Sequence, residues 1–284
     1  MNSSAVLGQQ LVGLIEIVFV VTGLILLGRH VVSTNGRKAA AAARTRADTG
    51  LHWDITSTDF LLFLFCVITG GLLSSIVCAP LLHRLGIDIS PESDRTVATL
   101  ILGGAFHGGM LAGVAFFRLE LRREEKAATV RQPFGARGVG TLFIALPLVG
   151  ATALVWQSLL GLCGIEIQEQ DIVGLFAETD SALLLGGMAL LAVVSAPVTE
   201  ELVFRAGLFR FLRTRTPRWV ALALPALLFA AMHANLASFA PLAVLGLVFA
   251  LAYERSGTIA VPILAHALFN LNTIVMLLVG LGVE

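Results

Sequence analysis

The sequence predicts an all-α, polytopic transmembrane helical bundle of about eight spans. Three observations carry that prediction. The 284 residues are 57% hydrophobic and only 13% charged, with a mean hydropathy of +0.88, whereas soluble domains carry about 25% charged residues. Apolar stretches close to the ~20 residues needed to cross hydrocarbon recur along the chain. The 28 glycines fit packed membrane helices, where small residues let backbones approach.

In chain order, spans are expected at 10–28, 59–82, 96–117, 139–163, 182–209, 219–235, 239–253 and 259–281. The sixth and seventh are short and nearly continuous, the pattern of a helical hairpin that need not cross fully. The N-terminal segment 1–10 has no basic region, so it does not read as a cleavable signal peptide and the first span is expected to stay as a helix. The C-terminal residues 281–284 are not a prenylation box. Residues 1–180 read as N-terminal helices with variable loops and 181–284 as the core that carries the chemistry, within one integral membrane domain. The run Ala39–Ala43 reads as an exposed linker or a surface helix. Cys66, Cys78 and Cys163 lie in apolar stretches without a C-x-x-C pair and read as buried free thiols.

Loop charges set the orientation. Arg29, Arg37, Lys38, Arg44 and Arg46 follow the first span, and Arg118, Arg122, Arg123, Lys126, Arg131 and Arg137 follow the third. Arg210, Arg213, Arg215 and Arg218 follow the fifth. The loop 164–181 holds five acidic residues and no Lys or Arg. Basic loops face the cytoplasm, which puts both termini outside. The net charge of zero gives no basis for a nucleic-acid partner.

Against this apolar background, Glu200, Glu201 and Arg205 stand out, because ionisable groups at membrane depth cost about 2.5–3.5 kcal/mol each even on the lenient insertion scale. Successive helical residues are rotated by about 100°, so the two glutamates are not expected to face one partner. Glu201 and Arg205, at i, i+4, share a face and can pair, which leaves Glu200 as the reactive carboxylate. Later spans supply His233, and His266 with Asn270 on one face. Counted from the cytoplasmic helix ends at ~1.5 Å per residue, Glu200 lies ~15 Å deep, His266 ~12 Å, Asn270 ~18 Å and His233 ~21 Å. Three helices thus bring polar groups to overlapping depths. Asn272 lies off that face. His107, among glycines at GxxxG spacing (Gly104/Gly108 and Gly109/Gly113), reads as helix packing, and Glu16 is assigned no role.

The series Glu200-Glu201-x-x-x-Arg205, Phe229-x-x-x-His233 and His266-x-x-x-Asn270 resembles the three motifs of the CPBP family. That family comprises the type II CAAX prenyl endopeptidases and the bacteriocin-processing or immunity-type enzymes of bacteria. The resemblance covers residues 180–275, including Tyr253-Glu-Arg-Ser-Gly257 ahead of the last motif. It implies an intramembrane endopeptidase in which Glu200 activates water with help from His233. His266 and Asn270 would stabilise the oxyanion, while Glu201 and Arg205 orient the site. The implied substrate is a peptide or protein, lipidated or not, reached among membrane lipids, with a cavity open to the cytoplasm admitting water. Glu200, His233 and His266 could also serve as zinc ligands. No H-E-x-x-H is present, and glutamate catalysis without a metal is the favoured reading. The composition, rich in Ala, Gly and Leu, favours a bacterial inner membrane. Two other readings stand beside the protease: an ion- or proton-coupled transporter, since intramembrane Glu, His and Arg also mark such pathways, and a catalytically silent scaffold or immunity protein.

Overall fold

The structure is a computed structural model, and it describes residues 3–51, 53–86, 95–117, 134–165, 176, 179 and 181–281. Most of the acidic loop 164–181 and of the basic loop 118–138 lies outside the described residues. Nine helices are present among them: α1 (Ser3–Val31), α2 (Thr34–Gly50), α3 (Ser57–Arg84), α4 (Arg95–Phe116), α5 (Phe134–Leu162), α6 (Ala182–Arg213), α7 (Arg218–Met232), α8 (Leu236–Ser256) and α9 (Ala260–Leu278). No strand occurs among the described residues.

The chain is a multi-pass integral membrane protein. Seven helices are long and apolar enough to cross a bilayer, all but α2 and α7. The expected eight spans therefore become seven full-length ones plus α7. With 15 residues, α7 is ~22 Å long, short of the ~30 Å hydrocarbon thickness. Its partner α8 is longer than the sequence suggested, at 21 residues. The two form the expected hairpin through a tight turn. Ala234 takes a left-handed φ of 49°, and the Asn235 side chain caps α8 by accepting from Ser238 N at 2.9 Å.

The Ala39–Ala43 run belongs to α2, a helix that starts on a Ser33 cap. Ala43, Ala47 and Leu51 are buried where α2 lies against α8, and Asp48 pairs with Arg213 at the end of α6. Beyond α2, Trp53 is fully buried among Phe60 and Phe63, while Arg215 reaches the carbonyls of Trp53 and Ile55. These contacts pin the α2–α3 connection to the α6–α7 turn.

Glycine explains the close approach of α3 and α4. A methyl group at Gly109 would overlap the carbonyl of Gly70, and one at Gly113 would press on the backbone of Cys66 and Val67. The α3–α4 pair thus closes on the second of the two GxxxG spacings. Gly104 and Gly108 face open space, so the first spacing is not a packing motif. The three cysteines are free, but Cys163 is exposed and the other two are only partly buried, which corrects the expectation that all three are buried.

The division at residue 180 does not separate the packing. Helix α5, from the N-terminal part, packs against α8 and α9, and α4 contacts α6. Helices α6 to α9 form the centre, with Phe209, Phe229, Phe249 and Tyr253 almost fully buried.

Candidate active site

Helix α6 carries the glutamates between two π-helical stretches, Leu191–Ser195 and Leu202–Phe209. The first has a local cause. Ala196 N–H donates to the Leu191 carbonyl, five residues back. The next residue, Pro197, has no N–H to continue that ladder, so the Ala192 carbonyl loses its donor. Asn270 fills the place: its Nδ2 donates to Ala192 O at 2.8 Å. The asparagine read from the sequence as an oxyanion donor therefore also ties α9 to the irregular turn of α6. One amide N–H is spent there and one is left.

Glu201 and Arg205 pair as their spacing predicts, Nη1 to Oε1 at 2.8 Å, with side chains 0% and 1% exposed. Arg205 also donates from Nη2 to the Gly246 carbonyl at 3.0 Å. Its guanidinium lies over the rings of Phe229 and Phe249, 4.8 and 5.5 Å from their centroids. An always-charged, planar cation gains from such faces once it is out of water. The same two rings bracket His266, with centroid separations of 5.8 Å to Phe229 and 5.0 Å to Phe249.

His266 joins the two glutamates. Its Nδ1 donates to Glu201 Oε1 at 2.9 Å, the oxygen that also accepts from Arg205. Its Nε2 faces Glu200 Oε2 at 3.7 Å. The expectation that adjacent glutamates cannot share a partner is therefore wrong. Imidazole has nitrogens on two sides of one ring, and each carboxylate meets a different one. Because Glu201 fixes Nδ1 as the protonated nitrogen, Nε2 is the variable atom. The 3.7 Å gap to Glu200 is too long for a direct hydrogen bond. Glu200 has no hydrogen bond among the described residues and its side chain is 19% exposed, whereas Glu201 is fully buried.

His233 is the C-cap of α7. Its Nδ1 lies 2.8 Å from the Phe229 carbonyl. A carbonyl only accepts, so Nδ1 carries the proton and Nε2 keeps its lone pair in the neutral ring. The ring is partly exposed and packs on Phe229 at 4.9 Å, which links it to His266 through that phenylalanine. Among the described residues no three His, Cys, Asp or Glu side chains converge as a metal ion needs.

Several contributors were not singled out in the sequence. Phe229 appeared only as a motif letter, and Phe249 and Gly246 sit in an apolar helix with no polar signal. Glu254, buried at 3%, accepts from Arg218 at 2.6 to 3.2 Å and pairs with Arg213 at 3.2 Å. It clamps the open end of the α7–α8 hairpin to the end of α6. His107 on α4, which the sequence singled out but read as helix packing, lies within electrostatic reach of Glu200, with its buried Nδ1 lacking a partner among the described residues.

Residues 182–272, which hold all seven motif side chains, match a family model described as type II CAAX prenyl endopeptidase, Rce1-like. Among curated proteins, the chain is 31% identical over 109 residues to a "Putative membrane peptidase YdiL" of Bacillus subtilis (strain 168), covering 37% of this chain and 45% of that protein. It is 33% identical over 127 residues to an "Uncharacterized 24.3 kDa protein" of Escherichia coli, covering 42% and 58%. The chain thus spans about half the length of the curated relatives it matches. No solved structure matches.

Proposed function

We propose that this protein, whose segment 182–272 is Rce1-like, is an intramembrane endopeptidase with Glu200 as general base. The observation that carries the reading is the asymmetry of the glutamates around His266. Glu201 is buried and spent on Arg205 and on Nδ1, while Glu200 is part-exposed and directed at Nε2. A base needs an accessible lone pair within reach of a water, and an orienting carboxylate needs the opposite.

Glu200 takes a proton from water, and the oxygen adds to the peptide carbonyl carbon. Negative charge then develops on the carbonyl oxygen, where preorganised donors contribute most. Asn270 offers its remaining amide N–H. His266, held by Glu201 through Nδ1–H, turns Nε2 toward the same space. The proton held by Glu200 passes to the leaving amine as the C–N bond breaks. His233, with Nε2 as acceptor, assists in holding the water. No step requires a metal.

The substrate is a membrane-associated peptide or protein, prenylated or unmodified, in a bacterial inner membrane. The arginines of the α6–α7 turn mark the cytoplasmic side, which leaves both termini outside. The α7–α8 hairpin returns to its starting side whether or not α7 crosses, so the orientation does not depend on its length.

The test is cleavage of a panel of labelled peptides, prenylated and not, by purified wild type and Glu200→Gln, with and without chelator. Cleavage by wild type that survives chelator and is lost in Glu200→Gln supports the reading. Loss on chelation with rescue by zinc overturns the metal-free step. A wild type that cleaves none of the panel counts against the protease.

A further inference from the structure

A cavity of about 510 Å³ lies away from the glutamate–histidine centre, between α1, α5 and α8 and beneath α2. None of the seven motif residues lines it. Its volume is within the roughly 300–1,000 Å³ of small-molecule sites.

The cavity is polarised along its length. Three guanidiniums line it: Arg46 on α2, Arg137 in the first turn of α5 and Arg255 in the last turn of α8. Leu26, Ile144 and Leu148 form an apolar wall. Arg137 and Leu148 are eleven residues apart on one helix, ~16 Å at 1.5 Å per residue, so the cations sit at the helix ends and the apolar wall runs inward. No Asp or Glu lines the cavity among the described residues.

Arg255 is the most informative of the three. Among the described residues it makes no hydrogen bond or salt bridge, and Arg44 and Arg137 act on it with like charge, against the attraction of Glu254. The adjacent Glu254 is committed to Arg218 and Arg213. A half-buried guanidinium crowded by other cations is stabilised by an oxyanion, which Arg binds in a bidentate fashion. Basic pockets between membrane helices on the cytoplasmic side take anionic headgroups.

We propose that this cavity binds an anionic phospholipid of the surrounding bilayer, its phosphate held by Arg46, Arg137 and Arg255 and the start of one acyl chain lying against Leu26, Ile144 and Leu148. The remainder of the lipid extends along α1, whose Leu24 and Ile25 are exposed.

Two variants probe the two ends of the site. Arg255→Gln removes the charge without touching the glutamate centre. Gly140→Leu fills the apolar part, since Gly140 lines the cavity and the nearest atom to a Cβ there is a Leu26 methyl at 4.0 Å. Delipidated protein in non-ionic detergent is titrated with phosphatidylglycerol, phosphatidylcholine or inorganic phosphate, followed by thermal unfolding and by native mass spectrometry. The expected result is saturable stabilisation and one retained phosphatidylglycerol on wild type, with at least tenfold weaker binding in each variant. Equal stabilisation by phosphatidylcholine overturns the headgroup assignment. An equal shift from inorganic phosphate alone overturns the lipid in favour of a soluble anion. Undiminished phosphatidylglycerol binding in both variants overturns the site itself.

Discussion

Replacing Arg205 by Met removes the cation while keeping a long side chain in the slot between Phe229 and Phe249. The change deletes the 2.8 Å bond to Glu201 and the 3.0 Å bond to the Gly246 carbonyl. It leaves the Glu201 carboxylate buried, with only His266 Nδ1 to satisfy it. Breaking one side of a buried ion pair costs about 3–5 kcal/mol, mostly because a charge is left uncompensated. Both side chains are at most 1% exposed, so solvent screening gives no discount, and Arg205→Met is expected to cost that amount. Glu201→Gln alone strands the arginine and costs a similar amount. The double variant Glu201→Gln/Arg205→Met strands neither, so its loss falls short of the sum by about 1–3 kcal/mol, the range for directly coupled residues. The assay is reversible unfolding in mixed micelles, with the four proteins compared in one detergent. An Arg205→Met protein within ~0.5 kcal/mol of wild type, the scale of an inconsequential surface change, would refute the reasoning, as would strict additivity.

Three further outcomes follow from the same contacts. Asn270→Ala leaves the Ala192 carbonyl without its donor and is expected to destabilise by about 1–3 kcal/mol, read in the same unfolding assay. Gly109→Ala forces α3 and α4 apart at Gly70 and should cost about 1–3 kcal/mol, whereas Gly104→Ala, facing open space, leaves stability unchanged or slightly raised. Glu254→Gln releases Arg218 and Arg213 and is expected to cost about 3 kcal/mol, the lower end for a broken buried pair, because Arg218 is 35% exposed; hydrogen exchange should rise at the α6–α7 turn.

Helices and their order were legible because hydrocarbon imposes one length on every span. The Glu201–Arg205 pair was legible because i, i+4 neighbours on a helix meet whatever surrounds them. Depth counting put Glu200 and His266 at overlapping levels on two separate spans, without pairing them. What the sequence hid depends on side-chain direction and on backbone irregularity. That His266 serves both glutamates requires knowing the ring's orientation. That Asn270 binds Ala192 requires the π turn before Pro197, which residue spacing does not announce. The aromatic slot for Arg205 pairs Phe229 with Phe249 from two helices, and each alone looks like ordinary core. Glu254 was visible only as part of a motif, since its partners lie 36 and 41 residues earlier in the chain.

The division of labour between Glu200 and Glu201 is the centre of the account. It is tested most directly by measuring single-turnover peptide cleavage and unfolding stability together for Glu200→Gln. The account predicts a loss of about 10²–10⁴ in rate, the contribution of a positioned general base, with stability unchanged, since Glu200 makes no hydrogen bond among the described residues. Cleavage by Glu200→Gln at the wild-type rate would contradict it.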